Sequence, residues 1–340
     1  MAIEIIGTGK AVPPRRLSND ELALEKKLDT SDEWIRSHTG IGARHIADEN
    51  TACSDLALEA ARNALAMTEP GKSLEEAALS LDMIIVATAT PDFYGAPSTA
   101  SIIQGKLGAK NAAAMDITAG CTGFIYALET MSGLLLVGER KRALVVGSEV
   151  LTKFANWEDR GSCVLFGDGA GAVVLEKTPA PRTGPGKRGI IRTILRADGT
   201  GAEHIFFRGG GSKAPFKAGQ TLEKPVFIEL NGQAVYYFAV KAMTDLVEDI
   251  LREEGISVDD VSLIIPHQAN ARIVQAAGKR LRVTPEKCFL NIEEYANTSA
   301  ASIPIALDVL NRDKKLKSGD LILTVGFGAG LTYGANLIIW

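Results

Sequence analysis

The sequence predicts an α/β protein made of two similar halves, and two observations carry this. First, short runs rich in Ile, Val and Leu recur along the 340 residues, separated by stretches of helix length. Most of the runs lack the alternation of half-exposed strands, so they read as strands covered on both faces. Sheets with helices on both sides are therefore expected. Second, the pattern comes twice. Asp82-Met-Ile-Ile-Val86 leads through a polar turn and a helix to a short strand ending Asp116-Ile117, then to the turn holding Cys121. Val261-Ser-Leu-Ile-Ile265 leads through the same parts to Asn291-Ile292 and the turn holding Asn297. Each half continues with a helix, an apolar strand and a Gly-rich turn, closing at 171–175 and 334–339. An offset of about 175 residues is too long for a solenoid repeat and points to a duplicated unit. The halves are expected at 1–178 and 188–340, joined by 177–189 with its three Pro and three Gly.

In chain order, strands are expected at 3–6, 83–87, 113–117, 143–146, 172–175, 263–266, 288–291, 321–325 and 337–340. Helices are expected at 53–67, 122–137, 236–254 and 269–281. In the third helix Val240, Met243, Val247, Ile250 and Leu251 recur at three- and four-residue steps, and Gly255 stands ready to cap it. Residues 198–222, polar and glycine-rich, are expected to form an irregular surface loop.

Composition narrows the function. Hydrophobic residues make up 46% and charged residues 23%, ordinary for a globular protein with a large core. Lys plus Arg number 37 against 41 Asp plus Glu, a net charge of -4. That argues against coating nucleic acid or membrane with the whole surface. No run approaches ~18 apolar residues, and the first residues lack a signal-peptide pattern, so a cytoplasmic protein is expected. Cys53, Cys121, Cys163 and Cys288 form no C-x-x-C pair, and the four histidines lack metal-ligand spacing. Free thiols and no metal are expected.

Three glycine clusters invite a nucleotide reading. Gly7-Thr8-Gly9-Lys10 lacks the rest of a P-loop. Gly167-Asp-Gly-Ala-Gly-Ala172 and Gly326-Phe-Gly-Ala-Gly330 lead into strands, so neither offers a helix N-terminus to a pyrophosphate. Tight turns between strands are the better reading. Cys121 differs. It sits between a short strand and an apolar helix, where unpaired N–H groups favour a thiolate and can hold an oxyanion. His267, in Ile264-Ile-Pro-His-Gln-Ala-Asn270, ends a buried strand, where open α/β sheets place ligands. Asn297 sits in the second-half turn that corresponds to the Cys121 turn. Taken alone, each has a bland alternative: a buried thiol, a satisfied strand-end His, an Asn helix cap. Pseudo-symmetry places all three in one cleft.

The motifs resemble those of β-ketoacyl-ACP synthase III, the thiolase-fold enzyme that starts fatty acid synthesis. They are Asp29-Thr-Ser-Asp-Glu-Trp-Ile, Thr39-Gly-Ile, Arg44-His-Ile-Ala, the Cys121 turn, Val145-Val-Gly-Ser-Glu-Val-Leu, Asp159-Arg-Gly, Phe166-Gly-Asp-Gly-Ala-Gly-Ala, Pro266-His-Gln-Ala-Asn and Asn297-Thr-Ser-Ala-Ala-Ser. They run in order from the first strand to the last. The resemblance implies two halves packed as a layered αβαβα sandwich, a homodimer, and acyl-CoA and malonyl-ACP as substrates with no cofactor. It implies that Cys121 accepts the acyl group, while His267 and Asn297 bind the malonyl thioester oxygen. Trp34 matches the ring that stacks on the adenine of coenzyme A. Arg160 and Gly161 match the coenzyme A groove, Asn270 the pantetheine arm, and Phe327 a ring near the thiol. The backbone N–H groups of Cys121 and Ala329 match the oxyanion site. Arg272, Lys279, Arg280 and Arg282 fall opposite Ile273, Val274, Ala277 and Leu281, as on the family's carrier-docking helix.

Some positions depart. His38 stands where many members have Arg, and a neutral His stacks more weakly than a guanidinium. Ala96 stands before Pro97 where a Phe often closes the partner's acyl pocket, so primers longer than acetyl are expected. The implied reaction is acylation of Cys121, decarboxylation of malonyl-ACP and Claisen condensation to 3-ketoacyl-ACP, the initiating step of type II fatty acid synthesis. The alternatives are O- or N-acyl transfer and secondary-metabolite starter chemistry, a thiolase, or a non-catalytic acyl-CoA binder. A thiolase wants a second catalytic Cys late in the chain, and Cys288 falls on an expected strand. A binder should have lost one of Cys121, His267 and Asn297.

Overall fold

The structure is a computed structural model that describes residues 1–69, 71–216 and 226–340. Nine strands form two sheets. The first contains β1 (Ala2–Ala11), β2 (Met83–Ala87), β3 (Ala113–Ile117), β4 (Arg142–Val150) and β5 (Asp168–Thr178), in the order β1-β5-β4-β2-β3. The second contains β6 (Gly189–Ala197), β7 (Leu263–Pro266), β8 (Leu321–Gly328) and β9 (Thr332–Ile339), in the order β7-β8-β9-β6. In the first sheet β2 runs parallel to β3 and β4, and β5 runs antiparallel to β1 and β4. In the second, β7 runs parallel to β8, and β9 runs antiparallel to β8 and β6. The two sheets therefore repeat one topology.

The repeat is incomplete at one edge. The counterpart of β3 was expected at 288–291, but only a single parallel bridge joins Ile264 to Cys288. The Phe289 N–H donates to the Ile264 carbonyl at 2.9 Å. The ladder then meets Pro266, which has no N–H to give. The Gln268 side chain takes its place: Nε2 donates to the Phe289 carbonyl at 3.1 Å, and Oε1 accepts the Asn291 N–H at 3.0 Å.

Both faces of each sheet are covered. Among the helices, α1 (Asp32–Thr39) lies apart, near the site. The outer face of the first sheet carries α2 (Cys53–Thr68) and α3 (Thr99–Leu107), packed on Ile84, Val86, Leu144 and Val146. Between the sheets lie α4 (Gly123–Leu136) and, later in the chain, Ser302–Arg312, against Met83, Ile85, Val145 and Ile322. Over the outer face of the second sheet lie α5 (Gly232–Glu254) and α6 (Ala271–Leu281), packed on Leu323, Val325 and Leu337. Ser302–Arg312 is α7. Successive strand residues face opposite layers, which is why these strands are apolar throughout. The result is an αβαβα sandwich.

Local chemistry moves some boundaries. The Asn231 side chain accepts from the Ala234 N–H, so α5 starts at Gly232 rather than 236. Asn270 caps α6, with its Oδ1 accepting the Arg272 N–H at 2.8 Å, so that helix starts at Ala271 rather than 269. The expected irregular loop at 198–222 holds a 3-10 turn, Gly199–His204, and a strand, Ile205–Phe207, paired with Ile228–Leu230; its residues 217–222 lie outside the described residues. No helix among the described residues is long and apolar enough to cross a membrane.

Candidate active site

The chain leaves β3 and enters a 3-10 turn, Gly120–Thr122, directly before α4. Gly120 has φ 52, and a Cβ there would lie 2.7 Å from the Ala329 nitrogen. A Cβ on Gly328 would lie 2.5 Å from the Cys121 nitrogen. Glycine at both positions lets the turn between β8 and β9 press its backbone against the Cys121 turn. The backbone N–H groups of Cys121 and Ala329 then both act on the Cys121 thiol in the direction that favours the thiolate. The helix start was expected to favour a thiolate. Burial works harder the other way and pushes the Cys121 thiol up to about 11, against the N–H groups and the Ser299 hydroxyl.

The second half supplies two side-chain donors. Asn297 is tied to the first sheet, where it pairs with Phe166 and its N–H donates to the Leu165 carbonyl at 2.9 Å. Its Oδ1 accepts the Ser299 N–H at 2.9 Å. A backbone N–H only donates, so the oxygen is engaged there and the Nδ2 amide remains as the donor. His267 is 1% exposed at the end of β7, and its N–H donates to the Val325 carbonyl at 2.8 Å. The Ser302 oxygen lies 2.7 Å from His267 Nδ1 and accepts the Gln268 N–H at 3.3 Å. The Ser302 oxygen is already occupied as an acceptor by the Gln268 N–H, which leaves its O–H free for Nδ1. With Ser302 donating to Nδ1, the tautomer that this pairing assigns carries the ring proton on Nε2. Burial pushes His267 down to about 3, so the ring is neutral. The Phe327 ring meets it edge-on at 5.5 Å.

Cys121, His267, Asn297 and Phe327 line one cleft of about 250 Å³, whose walls also include Trp34, His38, Gly161, Asn270 and Arg272. Trp34 lies on α1, stacked on His38 with ring centroids 4.3 Å apart, and the Arg160 guanidinium sits 4.8 Å from its centroid. His38 Nδ1 lies 2.7 Å from the Trp34 carbonyl, and Arg160 donates to the Asp29 carbonyl at 2.7 Å. Asn270 Nδ2 donates to the His38 carbonyl at 3.1 Å, joining α6 to α1. Arg160 does not itself line the cleft. Ala96 does not line it either; with Phe93 and Tyr94 it lies on an exposed loop. Lys279, Arg280 and Arg282 are exposed at the end of α6. Among the described residues none of these three, nor Arg272, makes an ion pair.

Sequence reasoning passed over three residues. Ser299, Ser302 and Glu149 lie inside motifs quoted above, yet their roles depend on what they face. A charged residue at the end of an apolar strand was the one visible sign of Glu149.

A thiol from one half that shares a cleft with a His and an Asn from the other is what an enzyme needs to take up an acyl group and then stabilise a carbanion's oxygen. On this five-layer frame they define a condensing enzyme of the acyltransferase class with the thiolase fold. Comparison with known proteins names it more closely. The family 3-Oxoacyl-[acyl-carrier-protein (ACP)] synthase III matches residues 115–199, and its C-terminal counterpart matches residues 251–340. The chain is 47% identical to the beta-ketoacyl-[acyl-carrier-protein] synthase III of Caldanaerobacter subterraneus subsp. tengcongensis, over 100% of this chain and 98% of that protein. It is 49% identical to that of Clostridium perfringens, over 98% of each. The crystal structure of 3-oxoacyl-[acyl-carrier-protein] synthase III from Aquifex aeolicus superposes with a TM-score of 0.87 at 42% identity, covering 100% of both chains. The chain belongs to the β-ketoacyl-ACP synthase III family and carries out the initiating condensation of fatty acid synthesis.

Proposed function

We propose that this condensation runs through an acyl thioester on Cys121, with acyl-CoA as primer and malonyl-ACP as extender. One observation carries the assignment: the Cys121 thiol, at a 3-10 turn pressed against the backbone of Ala329, shares a cleft with His267 and Asn297. The Cys121 sulfur attacks the primer carbonyl and coenzyme A leaves. The N–H groups of Cys121 and Ala329 hold the oxyanion of this step. Malonyl-ACP then loses CO2, and the enolate oxygen accepts from His267 and Asn297. The enolate carbon attacks the acyl-Cys carbonyl, releasing 3-ketoacyl-ACP and the Cys121 thiolate. A His267 that stays neutral and protonated at Nε2 suits this role, because it donates without needing acid.

The rest of the cleft fits the substrates. Trp34, with Arg160 over its face, offers an aromatic platform for an adenine, and Gly161 and Asn270 line the way inward. His38 already covers part of that platform. The carrier docks on the free cations Arg272, Lys279, Arg280 and Arg282, Arg272 standing at the cleft. A second copy of the chain completes the enzyme. β3 pairs on one side only, and Phe93 and Tyr94 are 54% and 51% exposed, an edge and an apolar loop suited to a partner. Ala96 lies in that loop, where a small residue lengthens the partner's acyl pocket. All four cysteines are free, in keeping with a cytoplasmic enzyme.

Intact-protein mass spectrometry with a panel of acyl-CoAs from acetyl to dodecanoyl tests this reading. One acyl group is expected per chain, absent in Cys121→Ala, with medium or branched primers preferred. Each added methylene should raise affinity about fourfold until the pocket fills, from ~0.8 kcal/mol per buried CH₂. An adduct retained in Cys121→Ala would overturn the nucleophile. A sharp optimum at acetyl would show that Ala96 does not open the pocket.

A further inference from the structure

The proposed oxyanion site is split between the two halves of the molecule. One N–H group belongs to Cys121, in the turn Gly120–Thr122 of the first half. The other belongs to Ala329, between β8 and β9 of the second. Neither half can build the site alone, so its geometry depends on how the two turns are held against each other. Gly120 and Gly328 allow the approach, since a Cβ at either would strike the facing backbone. A missing Cβ allows closeness but does not enforce it.

Two threonine hydroxyls supply the attraction. Thr332 opens β9 and pairs with Gly328 across the hairpin. Its Oγ1 lies 2.7 Å from the carbonyl of Ala119, the residue that leads into the Cys121 turn. It also lies 3.0 Å from the Ala329 carbonyl and 3.1 Å from Thr122 Oγ1. Thr122 directly follows Cys121 and is fully buried, and its Oγ1 donates to the Thr332 carbonyl at 3.0 Å. Each hydroxyl has one proton to give, and a carbonyl only accepts. The nearest acceptor for Thr332 is the Ala119 carbonyl, so two bonds cross between the turns in opposite directions. Among the described residues no backbone-to-backbone hydrogen bond joins these turns. The far side of the hairpin is tied within its own half. Leu331 donates to the Asp198 carbonyl at 3.0 Å and accepts the Asp198 N–H at 2.7 Å, just after β6. Those bonds hold Ala329 to the second sheet without placing it against Cys121.

We infer that Thr122 and Thr332 are positioning residues that set the spacing of the Cys121 and Ala329 N–H groups for acyl transfer. The inference rests on the reading of those two groups as the oxyanion site. An oxygen gaining charge must meet both N–H groups at once, at about 2.7–3.1 Å from each. A shift of one turn against the other lengthens one of these bonds just as charge develops. Neither threonine lines the cleft, so neither meets the primer in its ground state. Their loss should therefore slow the chemical step and leave primer binding alone.

Thr122→Val and Thr332→Val remove the hydroxyl and keep nearly the same side-chain shape. Rapid-quench mass spectrometry of Cys121 acylation, across concentrations of the preferred acyl-CoA, compares them with wild type. In each, the rate at saturating primer should fall roughly tenfold to a hundredfold, with the half-saturating concentration within about twofold. Thr332→Ser keeps the hydroxyl and drops the methyl, and should acylate at nearly the wild-type rate. A wild-type rate in either valine variant overturns the inference. So does a serine variant as slow as Thr332→Val, which would show that packing of the methyl matters and the hydroxyl does not. A raised half-saturating concentration at an unchanged rate would assign the threonines to primer binding and overturn it too. Should Thr122→Val fold poorly at its buried site, Thr332→Val and its serine counterpart decide. The underlying reading fails by a different result: Ala329→Pro, which has no N–H, would acylate as fast as wild type.

Discussion

In the first half the chain runs from β3 through Gly120–Thr122 straight into α4; in the second it runs past Asn297 through Ser299–Ala301 straight into α7. Gly120 and Ser299 occupy matching places, each left-handed, with φ 52 and φ 47. The match puts Ala300, not Asn297, opposite Cys121. Ala300 is 1% exposed and packs in the central core, whereas Cys121 faces the cleft. One turn keeps a glycine so that another backbone can close on it. The other keeps a serine whose left-handed backbone is tied down by an asparagine. A duplicated scaffold has thus been divided into an attacking side and a donating side.

The comparison breaks most visibly at Gly120. In Gly120→Ala the new methyl meets the Ala329 nitrogen at 2.7 Å in a left-handed backbone. Acylation should disappear, and unfolding free energy in urea should fall by about 1–3 kcal/mol. Ser299→Gly, at the matching position, should keep its melting temperature within about 2–4 °C of wild type. Equal damage from both changes would show that the turns are not equivalent.

Asn297→Ala should separate the two steps. Acyl transfer to Cys121 should persist while CO2 release from malonyl-ACP drops roughly a hundredfold to a thousandfold, as when one oxyanion donor is removed. Radiolabelled malonyl-ACP measures this directly, and undiminished condensation would remove Asn297 from the donating side.

Charge reversal on α6 should touch the second substrate alone. Lys279→Glu with Arg280→Glu should raise KM for malonyl-ACP roughly tenfold, leaving the acylation rate with acyl-CoA unchanged. Loss of both steps together would indicate a folding defect rather than a docking surface.

The smallest expected effect compares two buried groups, one from each half. His267 is lowered from 6.5 to about 3, so the unfolded chain takes up its proton first, and stability is lost as pH falls through that interval. Glu149 is raised from 4.5 to about 7, so the folded chain takes up its proton first, and stability is lost as pH rises through that interval. Each group contributes a slope of at most about 1.4 kcal/mol per pH unit. Urea unfolding from acid to neutral pH should show the acid-side slope flattened in His267→Gln and the other flattened in Glu149→Gln.

Much of this was legible in the chain itself. Apolar runs without alternation mark strands buried on both faces, because side chains of period two then meet a helix layer on either side. The recurrence of strand, turn and helix marks the duplication, and it put Cys121 and Asn297 at corresponding turns before any contact was known. The motifs around Cys121, His267 and Asn297 were long enough to place the family. Local pattern also told that Gly167-Asp-Gly-Ala-Gly-Ala172 leads into a strand, since a β-branched run follows it.

What local pattern cannot express is which polar atom faces which, and tertiary structure decided that. The edge at 288–291 reads as a strand, yet Pro266 has no N–H and the Gln268 side chain completes the pairing. The ring proton of His267 is set by Ser302, 35 positions along the chain. Glu149 is buried among Thr88, Ala89 and Thr90, some 60 positions away in the chain, while the turn at Ser299–Ala301 packs on both β4 and the Cys121 turn. Periodicity along a chain reports which side of an element is buried, a property of near neighbours. Hydrogen-bond direction, tautomer and the ionisation of a buried group depend on partners brought together only when the two sheets close on their shared helices.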